Sequence, residues 1–328
     1  MIYYVINNDF HIENVQNYIQ VTGIKDCTII RIPYSLHSDC KSFAKNIITI
    51  ETPFRERKKF WNPKYFYAAK ARIDKIPFKE EDLIIFLTEY DPLNQYIVYK
   101  SKEKGATIHL LEEGISFYAI YLHDNKLTKN IKYLIKLFYL RYIIGFHFFR
   151  YVDSGGKVFS QMQDQYIDSL LLYFDIPSSR RITIKILADS IKKYSDLDRD
   201  SVVFLSQPLY DSYFSIDCYL DAVTTELRCL EKIYLKVYFK FHPRDTLLFK
   251  ESIQKIFSEN IIFIDNQTLE DFFLEHKPST AFSFFSDALF KLKQKGVKVR
   301  FLYKNIPELA SEQNLVNLEE IVKRLENA

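Results

Sequence analysis

The strongest constraint on this chain is a pattern that occurs twice: short apolar strand-like runs alternating with longer helix-like runs, interrupted once by a polar stretch. In the first half the pattern predicts strands at Ile2–Asn7, Cys27–Ile32, Leu83–Leu87 and Thr107–Leu111. Helices are predicted at Ile12–Tyr18, Pro63–Ile73 and Leu93–Lys104, with another after Gly114. Asn62-Pro63 is a helix start, with Asn as cap and Pro in the first turn. Ser190–Asp200 is polar and charged and reads as a helix-like linker. Beyond it the alternation restarts. Strands are predicted at Ser201–Leu205, Lys236–Phe241, Ile261–Ile264, Thr280–Phe284 and Lys298–Leu302. Helices are predicted at Tyr219–Leu230, Leu247–Phe257, Leu269–Leu274, Asp287–Gln294 (ending at Gly296) and Leu315–Leu325. Such alternation predicts parallel sheets with helices on both faces. The fold class expected is α/β, with two Rossmann-like domains spanning 1–195 and 196–328 and facing each other across a cleft where strand ends meet.

Length and composition agree. At 328 residues the chain exceeds the roughly 250–300 at which one core stops growing, and 48% hydrophobic residues suffice for two cores. Glycine occurs only 7 times, and neither G-x-x-x-x-G-K-[ST] nor G-x-G-x-x-G is present. A phosphate must therefore be held by helix ends and side chains, and P-loop and dinucleotide readings fail. A net charge of +3 is too small to argue for nucleic acid. Cys27, Cys40, Cys218 and Cys229 are far apart and form no C-x-x-C, so reduced cytosolic thiols are expected and zinc is not. The N-terminal run lacks a basic n-region and a cleavage site and reads as a first strand. Asp196-Leu197-Asp198-Arg199-Asp200 contains a D-x-D, but it lies in the polar linker, and Arg199 would repel a divalent ion.

Four places break hydrophobic runs with chemistry. Leu110-Leu111-Glu112-Glu113-Gly114 ends a strand in two carboxylates. They point to opposite sides, so at most one aims at a reacting group, and both also suit a helix N-terminus. Lys240-Phe241-His242-Pro243-Arg244 ends a strand in a histidine fixed by proline and flanked by cations, which suits a phosphate. Glu270 opens a short helix, where it is either a ribose acceptor or a surface residue. Ser283-Phe284-Phe285-Ser286-Asp287 runs from a strand into a helix whose cap is Ser286, so its free N–H groups and hydroxyl either hold a phosphate or merely cap. A carboxylate from one half and an imidazole from the other would exchange protons across one cleft.

In this order the motifs resemble the bacterial sialyltransferases that modify lipooligosaccharide, O-antigen or capsule. That family carries an acidic-acidic-Gly motif, a His-Pro motif and a Ser-Ser or Ser-Thr motif. The matching residues are Glu112-Glu113-Gly114, His242-Pro243 and Ser286. Phe204-Leu205-Ser206-Gln207-Pro208 is similar to the family's Gly-Gln-Pro opening of the second domain, and Leu269-Glu270 to its Pro-x-Glu. The departures are Glu113 where Asp is frequent, Ser206 for glycine, and Asp287 for the second hydroxyl residue. The resemblance spans Met1 to about Leu302.

The resemblance implies a GT-B, inverting, metal-independent enzyme without cofactor. Its donor would be CMP-sialic acid and its acceptor an oligosaccharide or glycolipid, bound by the N-terminal domain. Glu113 would be the general base, with Glu112 the second candidate. His242 would protonate or hydrogen-bond the departing phosphate. Lys240, Ser286 and Ser283 would hold that phosphate, Glu270 would bind ribose or base, and Pro243 and Gln207 would complete the donor site. A terminal galactose and an alpha-2,3 bond are what the resemblance suggests, with N-terminal loops such as Asn7–Ile12 and Phe54–Asn62 selecting the acceptor. Two alternatives are another GT-B transferase using a different nucleotide-activated sugar, and a non-catalytic saccharide-binding protein.

The segment 130–151 is apolar nearly all round, with scattered cations. It reads either as a buried helix or as a surface helix touching an anionic membrane. No apolar stretch reaches the roughly 20 residues of a membrane span. The expected location is cytoplasmic, with peripheral contact at the inner face of the cytoplasmic membrane through 130–151 as a second expectation.

Overall fold

A computed structural model describes residues 1–24, 26–35, 40, 43–53, 57–89, 91–112, 134–148, 166–172, 183–186, 193–211, 215–257, 261–306 and 322–323. The chain divides into two units, Met1–Ser190 and Ile191–Ala328.

The first unit is built on a seven-stranded sheet: β1 (Ile2–Asn8), β2 (Cys27–Ser35), β3 (Asn46–Thr49), β4 (Leu83–Phe86), β5 (Thr107–Leu111), β6 (Ser169–Leu172) and β7 (Thr183–Ile186). The spatial order is β3-β2-β1-β4-β5-β6-β7, and every pairing is parallel. The crossover helices are α1 (Asp9–Thr22), the single turn α2 (Arg57–Phe60), α3 (Pro63–Ile73) and α4 (Pro92–Glu103). β1 is buried on both faces, as a doubly wound sheet requires. On one face Tyr3 and Val5 join Ile84, Phe86, Ile108 and Leu110, packed against Phe66 and Ile73 of α3, Ile97 of α4, and Leu140 and Phe146.

The second unit holds β8 (Asp198–Leu205), β9 (Lys236–Lys240), β10 (Ile261–Ile264), β11 (Pro278–Ser283) and β12 (Lys298–Phe301). Their order is β10-β9-β8-β11-β12, again wholly parallel. The helices are α5 (Ile216–Glu231), α6 (Leu247–Ile256), α7 (Leu269–His276) and α8 (Asp287–Gln294). Phe204 and Phe239 stack at 5.6 Å, and fully buried Tyr219, Phe249 and Phe284 close over them.

Local signals fold as their chemistry dictates. Asn62 accepts from the Lys64 N–H at 3.2 Å and caps α3 behind Pro63. α8 ends in a Schellman motif: Gly296 sits at φ 87°, its N–H donates to Lys293, and Val297 N–H donates to Leu292.

Two expectations are corrected. The polar stretch Ser190–Asp200 is not a helix-like linker throughout. Asp198-Arg199-Asp200 form the start of β8, and Asp198 N–H donates to the Lys277 carbonyl. They are polar because this end of the strand extends past the part of the sheet that is buried. Asn7–Ile12 is not a loop either. β1 runs to Asn8, whose side chain accepts from His11 N–H at 2.9 Å and starts α1 at once. Strands β3, β6 and β7, four residues each, are not among the strands the sequence pattern predicts. The helix expected after Gly114 lies outside the described residues, as does most of the one expected at Leu315–Leu325.

Candidate active site

In an open α/β sheet, ligands bind beyond the carboxyl ends of the strands where the strand order reverses. In the second unit that point lies between β8 and β11, and the sequence-derived donor residues gather around it. β8 ends at Leu205 and leads into Ser206-Gln207, β11 ends at Ser283, and β9 leads through Phe241 into His242. Ser283 Oγ donates to the Leu205 carbonyl at 2.9 Å and ties the two central strands together. Ser286 caps α8 by accepting from Ala288 N–H at 3.3 Å. The Asp287 side chain lies outside the described residues.

His242 is held by its own turn. The Arg244 N–H donates to Nδ1 at 3.1 Å. Nδ1 is therefore the acceptor nitrogen, and the ring proton resides on Nε2. Burial first, then the Arg244 and Lys240 cations, push the imidazole down to about 4. At neutral pH His242 is thus a neutral ring with an N–H donor at Nε2.

The turn carries a residue that sequence reasoning missed. Asp245 N–H donates to the His242 carbonyl at 2.9 Å, and the Asp245 carboxylate accepts from His242 N–H at 2.8 Å. The other carboxylate oxygen accepts from Tyr210 at 3.2 Å, and the Tyr210 oxygen accepts from Thr246 N–H. Burial pushes the Asp245 carboxyl up, while hydrogen bonds from Ser206, His242 and Tyr210 pull it back. Ser206 Oγ lies 3.3 Å from the Tyr219 hydroxyl, which also accepts from Gln207 N–H at 2.9 Å. One buried network therefore joins the ends of β8 and β9. Its available signal was an aspartate three residues after the histidine, the spacing of a side chain that closes its own turn.

Lys240 is buried, and its ammonium donates to the Gln267 carbonyl, just before α7 and Glu270. Burial lowers its pKa, and the Asp265 and Glu270 carboxylates draw it back up. Glu270 is half-buried in the first turn of α7. The Gln207 side-chain oxygen is buried without a hydrogen-bond partner among the described residues. Pro243 is exposed in the turn after His242.

In the first unit Glu112 is buried at the end of β5. Its N–H donates to the Leu171 carbonyl, and its carbonyl accepts from the Asn14 amide. Glu113 and Gly114 lie outside the described residues. At this sheet's own reversal point, between β1 and β4, Asn7 and Asn94 exchange amide hydrogen bonds at 2.9 and 3.3 Å. Asn94 also donates to the Thr88 carbonyl at 2.8 Å, and Asn7 N–H donates to His11. These asparagines gave no sequence signal, since their partners are 87 residues apart.

Two parallel, doubly wound Rossmann-like units in one chain are the architecture of GT-B glycosyltransferases, and comparison with solved structures agrees. The GT-B domain of a sialyltransferase from Photobacterium damselae matches at TM-score 0.53 and 13% identity, covering 99% of this chain and 98% of that one. A putative UDP-N-acetylglucosamine 2-epimerase from Listeria monocytogenes matches at 0.54 and 11%, covering 99% and 88%. The UDP-GlcNAc 2-epimerase from Neisseria meningitidis matches at 0.51 and 10%, covering 99% and 93%. At such identities the likeness concerns the fold. No curated protein sequence matches. The family model of the alpha-2,8-polysialyltransferases (POLYST) matches residues 2–298. The chain therefore belongs to the alpha-2,8-polysialyltransferase family. It is an enzyme, a CMP-sialic acid-dependent glycosyltransferase of GT-B fold.

Proposed function

We propose that the enzyme moves sialic acid from CMP-sialic acid to a hydroxyl of a cell-surface glycan, with inversion and without a metal ion. The observation that carries this reading is the neutral His242 ring, its Nε2–H free of the Arg244 contact, at the strand ends where a nucleotide phosphate would lie. As the glycosidic bond breaks, charge grows on the phosphate, and an Nε2–H donor stabilises it. The added negative charge raises the imidazole pKa, so the same group can deliver a proton late in the step. Lys240 and Arg244 add positive charge, and Ser286 and the α8 N-terminus offer donors. CMP leaves with less charge than a nucleoside diphosphate, so protein groups suffice in place of a magnesium clamp.

Glu113 is proposed as the base that takes the acceptor proton, with Glu112 second. The buried Gln207 oxygen would accept from a hydroxyl or amino group of the nucleotide, which its lack of a partner favours. Lys240 braces the Gln267 carbonyl and with it the approach to Glu270, which would bind ribose or base. Ser283 sets the spacing of β8 and β11 beneath the phosphate, and Pro243 stiffens the His242 turn.

The family description favours an alpha-2,8 bond to a preceding sialic acid. The motif resemblance favours alpha-2,3 transfer to galactose. Incubating the protein with CMP-sialic acid and either a sialylated or a galactose-terminated acceptor, with and without EDTA, tests the reading. Transfer that survives EDTA supports it, and product linkage by NMR chooses between the bonds. Absence of both transfer and CMP release would refute it. Glu113→Gln should lower transfer by about 10²–10⁴-fold; full activity in that variant would move the base to Glu112.

A further inference from the structure

Over 134–138 the backbone is helical and then widens into a π-helical turn, Tyr139–Ile143, closed by Ile144 N–H donating to the Tyr139 carbonyl. The widened turn sorts the side chains. Tyr139, Leu140 and Ile144 go into the core, while Leu134, Ile135, Phe138, Tyr142 and Ile143 stay outside. Leu134 is 63% exposed, Phe138 58% and Tyr142 65%. The segment is thus neither wholly buried nor wholly on the surface.

It does not stand alone. Tyr67 of α3 donates its hydroxyl to the Ile143 carbonyl at 2.7 Å, and Trp61 packs on Tyr139 with ring centroids 5.1 Å apart. Trp61, Tyr65 and Tyr67 are themselves exposed. Two segments remote in sequence therefore build one aromatic and aliphatic surface. Cations are interspersed within it: Lys136 Nζ lies 5.6 Å from the Phe60 ring centroid and Lys59 Nζ 5.9 Å from that of Tyr65. Lys64 and Arg72 are exposed on α3.

The charge distribution singles this surface out. The stretches 57–73 and 125–152 together contain twelve Lys and Arg and no Asp or Glu. The rest of the chain then holds 33 basic residues against 42 acidic ones. Of the twelve, Lys59, Lys64, Lys70, Arg72, Lys136 and Arg141 lie on the same described helical segments as the exposed rings.

We propose that this face docks on an anionic lipid bilayer. Exposed Leu, Ile and Phe suit the acyl boundary, Trp and Tyr the headgroup level, and the surrounding Lys and Arg the negative lipid charge. A polyanionic saccharide would use the cations but leave the aliphatic side chains in water. A second copy of the chain would bring like charges against like. The bilayer alone uses both features. The inference is independent of the reaction proposed above.

Trp61 is the only tryptophan, so intrinsic fluorescence reports on this face. The purified full-length protein should float with vesicles of phosphatidylglycerol and phosphatidylcholine, and Trp61 emission should shift to the blue. It should not float with pure phosphatidylcholine, and high salt should weaken binding. Lys64→Gln with Lys136→Gln should lower the partition coefficient on the order of tenfold or more, at roughly fivefold per cation. Phe138→Ser with Tyr142→Ser should abolish the emission shift while CMP release in vesicle-free buffer stays at the wild-type rate. The proposal is overturned if the wild type ignores anionic vesicles, or if these variants bind as it does. It is equally overturned if soluble polysialic acid shifts Trp61 emission while vesicles do not, or if the face proves to be a dimer contact broken by Phe138→Ser.

Discussion

The state of His242 makes a quantitative prediction about CMP, the leaving product. In the free protein the ring titrates at about 4. A phosphate placed against Nε2 works against the burial and the neighbouring cations. One unit charge about 4 Å away at an effective dielectric near 20 is worth about 4 kcal/mol, or about three pKa units. The bound ring should therefore titrate at about 7. The complex then holds more protons than its separated parts, so affinity rises as pH falls through the bound value. CMP should bind about tenfold tighter at pH 6 than at pH 8, with the gain flattening further down as the phosphate itself takes up a proton near its second pKa of about 6. Isothermal titration in two buffers of different ionisation enthalpy would measure the proton uptake directly, and the His242 C2 proton would follow the ring by NMR. His242→Gln keeps a donor but cannot titrate, so its CMP affinity should not rise as pH falls from 8 to 6. A wild-type profile identical to that of His242→Gln, or a free-state titration at 6.5 or above, would refute the reasoning.

Three further outcomes are expected. Asp245→Asn should destabilise the protein by about 1–3 kcal/mol, because buried partners at His242 and Tyr210 lose an acceptor. It should also weaken the pH dependence of CMP binding; a variant that only unfolds more easily, with the profile intact, would make Asp245 purely structural. The depressed His242 pKa implies that the unfolded state takes the proton first as pH falls from 6.5 toward 4, so stability should drop across that window. The full shift is worth about 3 kcal/mol, reduced to about 1–2 for a half-buried ring, and urea unfolding of wild type and His242→Gln at pH 7 and 4.5 would read the difference. Gly296→Ala should cost about 1–2 kcal/mol by thermal melting with no change in transfer, since φ there is 87° and the residue is remote from the proposed chemistry.

Much of the architecture was legible in one dimension because its causes are local. Strand and helix periods, the Asn62-Pro63 start and the Gly296 stop depend on neighbours within a few residues, and Thr107–Leu111, Pro63–Ile73 and Asp287–Gln294 fold over the ranges the pattern predicts. His242, Ser286 and Gln207 could be selected because chemistry in α/β proteins sits at strand ends, and strand ends show in sequence. Other features depend on contacts between distant segments, and no local period carries those. Only the folded chain brought Asn7 to Asn94, joined Ser206 and Tyr219 to Asp245 beneath His242, and fixed which ring nitrogen carries the proton. Only it set Trp61 against Tyr139 and Tyr67 against Ile143, joining two segments remote in sequence into one aromatic face.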